Sequence, residues 1–293
     1  MRTRNSLLSI FIIFCTGNLF AQKPDPFRPD FSSPPVMAGL TLVWNEEFNE
    51  EGKPHPSSWR YEIGYVRNQE LQWYQPDNAR CTGGLLLIEG RKQRIKNPYY
   101  IAGSKDWRKA RQYTEYTSSS IQTRGLHEWK LGRFEIRARI DTSSGAWPAI
   151  WTLGLKGSWP SNGEIDIMEF YRIKGIPTIL ANFAWGTGKQ DVAKWDDLKK
   201  PLSDFTSRDP DWVKKFHVWR MDWDSLSIRL YLDNLLLNDI RLIETVNPDG
   251  TNPFLQPHYL LLNLAIGSNG GDPSKSKFPI TFEVDWVRVY QKQ

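Results

Sequence analysis

Apolar and polar residues alternate in short runs along most of this chain, and few stretches show the three-to-four spacing of a helix face. Arg133-Phe134-Glu135-Ile136-Arg137-Ala138-Arg139-Ile140 is the clearest case. Period two puts its apolar side chains on one face and its charges on the other, as in a half-buried strand. The same pattern predicts strands over residues 42–44, 85–88, 179–183, 216–223, 228–232, 235–238, 259–266 and 282–290. Asp233-Asn234 lies between two of these runs, and both residue types tolerate the positive φ of a two-residue hairpin loop. Helix signals are few; the best is Asp209 as N-cap, Pro210 at the first helical position and a short run through Lys215. Many short strands with no βαβ rhythm predict an all-β fold, a jelly-roll sandwich of two antiparallel sheets.

One strand breaks the period. In Glu164-Ile165-Asp166-Ile167-Met168-Glu169, Glu164 and Asp166 share a face, Ile165 and Ile167 take the other, and Glu169 is out of phase. One extra residue near Ile167 or Met168, a β-bulge, would bring Glu169 to the acidic face. Two carboxyls converging to about 5–5.5 Å on a concave sheet suit a retaining glycosidase. Acids on an exposed strand face are otherwise solvated, or coordinate calcium. The flanks favour chemistry, because Trp147-Pro148-Ala149-Ile150-Trp151 and Trp159-Pro160-Ser161-Asn162-Gly163 put indole rings beside the acids. Indole faces stack on sugar rings.

Composition narrows the setting. With 293 residues, 40% hydrophobic and 24% charged, and no low-complexity linker, the chain reads as one large domain over 39–293. Residues 1–21 read as a secretory signal: Arg2 and Arg4, an apolar run over 7–14, and Leu19-Phe20-Ala21 as a cleavage site. A proline-rich extended leader follows over 22–38. The mature protein is therefore expected to be secreted or periplasmic. The apolar run is too short to span a membrane and nothing later is long enough. Bulky Phe14 ahead of Cys15 argues against a lipoprotein anchor. Cleavage leaves Cys81 as the sole thiol, which excludes an intramolecular disulfide and points to a packed small side chain. The net charge is +5; without Arg2 and Arg4, 36 basic against 33 acidic residues leave +3, too balanced for nucleic-acid binding. The basic run over 105–111 around Trp107 reads as a solvated loop more readily than as a site for an anionic glycan. His55, His127, His217 and His258 have no metal-ligand spacing, and no internal repeat, phosphate loop or heptad is present.

In this order, the strand over 133–140, the Trp147–Trp151 segment, Gly163 to Glu169 and the closing Asp285-Trp286-Val287-Arg288-Val289-Tyr290 resemble glycoside hydrolase family 16, from about residue 42 onward. The likeness is to laminarinase-like bacterial endo-β-1,3(4)-glucanases. It implies that Glu164 is the nucleophile, Glu169 the general acid/base, and Asp166 the residue that holds and tunes Glu164. It also implies a cleft lined by Trp147, Trp151, Trp159 and Trp185, with Asn68, Arg137, Asn182 and Asn263 binding substrate. Each tryptophan could instead be core, and Arg137 could form an ion pair with another strand. Asn182 stands near the place where many relatives carry a histidine, which bears on subsite preference. The long segment over 187–215, with Trp195 and Trp212, is expected to wall one end of the cleft. No cofactor is implied for catalysis. A structural calcium ion is implied on the convex side, with Glu47 and Asp285 supplying carboxylates.

The function so implied is a secreted, monomeric, retaining endo-glycosidase hydrolysing β-1,3- or mixed β-1,3/1,4-glucan, with the polysaccharide as its partner. A galactan hydrolase of the agarase or carrageenase kind and a transglycosylase are the competing enzymes. A non-catalytic carbohydrate-binding sandwich would keep the tryptophans but has no need of all three acids.

Overall fold

The computed structural model describes residues 24–292. The expected signal over 1–21, with Cys15, lies outside the described residues. Seventeen strands among the described residues form a ten-stranded and a seven-stranded sheet, antiparallel except where Gln72–Tyr74 pairs with Tyr113–Ser118. The two sheets pack face to face around one core. From the seven-stranded sheet, Ile165, Ile167, Phe170, Phe183, Leu260, Leu262 and Leu264 point inward to meet Phe134, Ile136, Ala138, Trp219, Met221 and Val287 of the other. No helix among the described residues is long and apolar enough to cross a membrane. Cys81 is a buried, unpaired packing residue.

The predicted strands are present, mostly longer than the pattern suggested: Leu85–Lys96, Gly132–Ile140, Ile176–Gly186 and Ile280–Gln291 are examples. Asp233 takes the positive φ, 53°, in the hairpin between Ser227–Leu232 and Leu235–Arg241. One expectation fails locally. The helix from Asp209 to Lys215 reduces to a 3₁₀ turn, Trp212–Lys214, while the Asp209 carboxylate accepts from the Lys215 Nζ at 2.6 Å. Within the long segment over 187–215, Ala193–Pro201 forms the edge strand of the seven-stranded sheet.

The leader is fastened to the outer face of the ten-stranded sheet. Arg137 donates to the carbonyls of Arg28 (2.9 Å) and Asp25 (2.7 Å) and pairs with Asp285, which also accepts from the Asp30 N–H at 3.1 Å. Arg288 donates to the Ser32 carbonyl at 3.0 Å and to both oxygens of Glu47, at 3.0 and 2.8 Å. One expectation is corrected here. Arg137 does lie on the polar face of its strand, but that strand belongs to the sheet opposite the cleft, so its partners are the leader and Asp285. Glu47 and Asp285, expected on the convex side as calcium ligands, pair here with the guanidinium groups of Arg288 and Arg137.

Candidate active site

The outer face of the seven-stranded sheet carries a groove of about 590 Å³. Glu164–Ile173 is the strand at its centre, between Ala146–Gly154 and Ile176–Gly186. Against the former, Glu164 pairs with Leu153, Asp166 with Trp151, Met168 with Ile150 and Glu169 with Ala149. Between Asp166 and Met168 the acidic strand advances two residues while its partner advances one, which is the predicted bulge. Its effect is local and decisive: Ile165 and Ile167 stay in the core while Glu164, Asp166 and Glu169 all open into the groove.

Each acid has a distinct set of partners. Trp159 Nε1 donates to Glu164 Oε2 at 2.9 Å, and Trp147 Nε1 donates to Glu169 Oε1 at 3.0 Å. Asn182 Nδ2 lies 3.3 Å from both Asp166 Oδ2 and Glu169 Oε2, so a single amide bridges two of the three carboxyls. Asp166 is 2% exposed, whereas Glu164 and Glu169 are half-buried. Burial drives all three proton affinities upward, and mutual repulsion adds to it. Glu164 rises from 4.5 to about 8, through burial and then the charge of Glu169; Glu169 rises to about 7, through burial and then the nearby Glu70, against the pull of Trp147. Asp166 is pushed well above the usual carboxylate range by burial and by Glu169 and Glu164. Such groups titrate as a set, and this set retains protons at neutral pH.

The aromatic and amide residues divide. Trp147, Trp151, Trp159, Asn68, Asn182 and Asn263 all line the groove. Trp151 Nε1 donates to Asn263 Oδ1 at 2.7 Å, and Asn263 Nδ2 donates to the Tyr74 hydroxyl at 3.2 Å, so the indole is held in place from below. Trp185 does not join them. It neighbours Ala184, which pairs with Glu164 and shares its face, and strand alternation therefore turns the Trp185 ring into the core. Trp212 is likewise a core residue, 5.1 Å from Phe205 and 4.2 Å from His217 in stacked pairs, while Trp195 of the same segment does reach the groove.

Several groove residues were not singled out from the sequence. Arg67 pairs with Glu62, lies 5.0 Å from the Trp151 ring centre, and its charge favours the ionised form of Glu164. Glu70 is 2% exposed and accepts from Gln72 Nε2 at 2.6 Å; burial raises its proton affinity despite Arg67. Positive φ at Asn68 (55°) and Gln69 (51°) turns this loop toward the groove. The polar run Arg67-Asn68-Gln69-Glu70 ahead of a strand was the available hint. Tyr171, Asp197, Lys199 and Asn269 complete the lining.

The sequence pattern of the family described as Glycosyl hydrolases family 16 matches residues 92–288. The chain is 36% identical over 268 residues to a beta-glucanase of Rhodothermus marinus, covering 85% of each chain. Among solved structures, it is similar to one described under endo-acting O-glycanases that prominent members of the human gut microbiota express to initiate mucin breakdown. That match has 33% identity and a TM-score of 0.79, covering 89% of this chain and 94% of that one. It is also similar to the laminarinase catalytic domain of Thermotoga maritima MSB8, with 29% identity and a TM-score of 0.70, covering 87% and 99%.

Proposed function

Because the chain belongs to glycoside hydrolase family 16 and is a glycoside hydrolase, we propose that it is an exported, monomeric, retaining endo-β-glucanase acting on β-1,3- or mixed β-1,3/1,4-glucan. The observation that carries this reading is the gathering of Glu164, Asp166 and Glu169 on one face across the bulge, beneath an open tryptophan-lined groove. An open groove suits attack within a chain.

In this mechanism Glu164 attacks the anomeric carbon as Glu169 gives its proton to the departing glycosidic oxygen, forming a glycosyl ester and releasing one chain end. Glu169, now ionised, takes a proton from water, and that water displaces Glu164 with net retention. The requirement is an ionised Glu164 and a protonated Glu169, the reverse of their separate proton affinities, about 8 and about 7; the three acids titrate as one set, and the share of it that carries the charge on Glu164 is the reactive one. Asp166, the most deeply buried of the three, shares a proton with Glu164 and eases its departure from the ester. Arg67 favours the ionised nucleophile. The Trp159 and Trp147 indole N–H groups aim the two glutamates.

A second reading is supported by the TM-score of 0.79 to the O-glycanase structure: the same chemistry on a mucin O-glycan. One experiment separates the two. Products are analysed on laminarin, barley mixed-linkage glucan, agarose, carrageenan and mucin O-glycans, for wild type and Glu164→Gln. Cleavage of the glucans is expected, with loss in the variant. Cleavage of mucin glycans alone would favour the second reading, and binding without cleavage would leave a carbohydrate-binding module.

A further inference from the structure

The edge of the seven-stranded sheet carries side chains that the three-carboxylate mechanism does not use. Ala193–Pro201 pairs with Ile176–Gly186 so that Trp195 faces Ala184, Asp197 faces Asn182 and Lys199 faces Leu180. Those three residues are themselves paired with Glu164, Asp166 and Glu169. Three rows of side chains therefore run across the groove, each with a reacting or tuning carboxylate at one position and an edge-strand residue two strands further on. Two strand spacings are about 9–10 Å. That is farther than a ring seated on the carboxylates reaches.

Edge strands commonly carry charge to prevent pairing with other chains, and this strand is charge-rich. Such protection does not call for an indole on the groove side. Trp195 is nevertheless 45% exposed there, 6.4 Å from Trp159 at an interplanar angle of 52°. Trp159 in turn holds Glu164, so the two indoles form a bent wall leading away from the nucleophile. Beside them Lys199 Nζ donates to Asp197 Oδ2 at 2.7 Å, and both side chains keep access to solvent, at 49% and 34%. An indole offers a face to the C–H side of a pyranose, a carboxylate accepts from its hydroxyls and an ammonium donates to them. The two charges offset one another, and the acidic centre lies nearby, so a neutral sugar fits better than a sulfated one.

We propose that Trp195, Asp197 and Lys199 form a remote shelf for a neutral sugar unit at least one ring away from the cleaved bond. This rests on the glycanase reading above and deepens it, because the shelf makes the enzyme favour long chains. Asp197 also acts on the centre. Burial is the main cause of the raised proton affinities of Asp166 and Glu169, and the charge of Asp197 adds to it.

The test is kcat/KM on an oligosaccharide series, trimer to octamer, of whichever polymer wild type cleaves. It compares wild type with Trp195→Ala, Trp195→Phe and Asp197→Asn. For Trp195→Ala, the ratio of kcat/KM on the longest to that on the shortest cleaved oligosaccharide is expected to fall on the order of tenfold, with most of it restored by Trp195→Phe. For Asp197→Asn, the alkaline limb of the pH profile is expected to move to lower pH as well. A loss equal at every chain length, or no loss, overturns the shelf while leaving the glycanase reading intact. A wild type that cleaves no polymer overturns both.

Discussion

Glu164→Gln is expected to stabilise the fold above neutral pH while removing activity. Burial and the charge of Glu169 raise the Glu164 carboxyl from 4.5 to about 8 in the folded protein. The folded state therefore holds this proton more tightly than the unfolded chain. Below about pH 4.5 the carboxyl is protonated in both states and has no effect on stability. As pH rises from there to about 8, the unfolded chain ionises freely and the folded state is progressively disfavoured; above 8 the penalty is constant. At about 1.4 kcal/mol per tenfold change in proton affinity, the ceiling is about 5 kcal/mol. Glu164 is only half-buried and shares its protons with two neighbours, so about 1–3 kcal/mol is the working figure. Glutamine cannot ionise yet keeps an oxygen to accept from Trp159 Nε1, so the variant escapes the penalty without losing its anchor. Thermal denaturation at pH 4.5 and 8.5 reads the effect. A gain of about 3–8 °C is expected at pH 8.5 and almost none at pH 4.5, taking about 2–4 °C per kcal/mol for a domain of this size. A gain of equal size at both pH values, or none at pH 8.5, would refute the reasoning.

Three further outcomes follow from the same geometry. The kcat/KM of wild type is expected to fall as pH rises through about 7, because Glu169 must hold its proton in the free enzyme; a pH–rate profile checks this. Arg137→Met, which strands the buried Asp285 charge, is expected to cost about 3–5 kcal/mol in urea denaturation while leaving the KM of the folded fraction unchanged. Treatment with EDTA and re-addition of calcium are expected to leave Tm unchanged, because guanidinium groups already hold Glu47 and Asp285; a calcium-dependent rise in Tm would contradict this.

The acidic strand was readable because a bulge leaves a trace in sequence: acids at 164, 166 and 169 cannot share a face without an extra residue, and the register shift appears where the phase requires it. Alternation assigns a face to each residue but not the sheet to which the strand belongs. Arg137 was accordingly placed on the polar side and still given to the wrong surface. Trp185 and Trp195 show the same limit within a single hairpin. Their strands pair directly, Trp195 opposite Ala184, so Trp195 shares the groove face from which Trp185 is turned away. The strand Ala193–Pro201 itself was hidden because, at the edge of a sheet, it has little apolar face to alternate. Arg67 and Glu70 reach the groove through left-handed turns at Asn68 and Gln69, and no periodicity encodes those.

The claim that Glu164 and Glu169 act as nucleophile and acid/base rests on retention, and the anomeric form of the first product reports it directly. Proton NMR during the first minutes of cleavage, before mutarotation, is expected to show the new reducing end as the β-anomer. Initial release of the α-anomer would mean single displacement by water, and would contradict the roles assigned to the carboxylates on either side of the bulge.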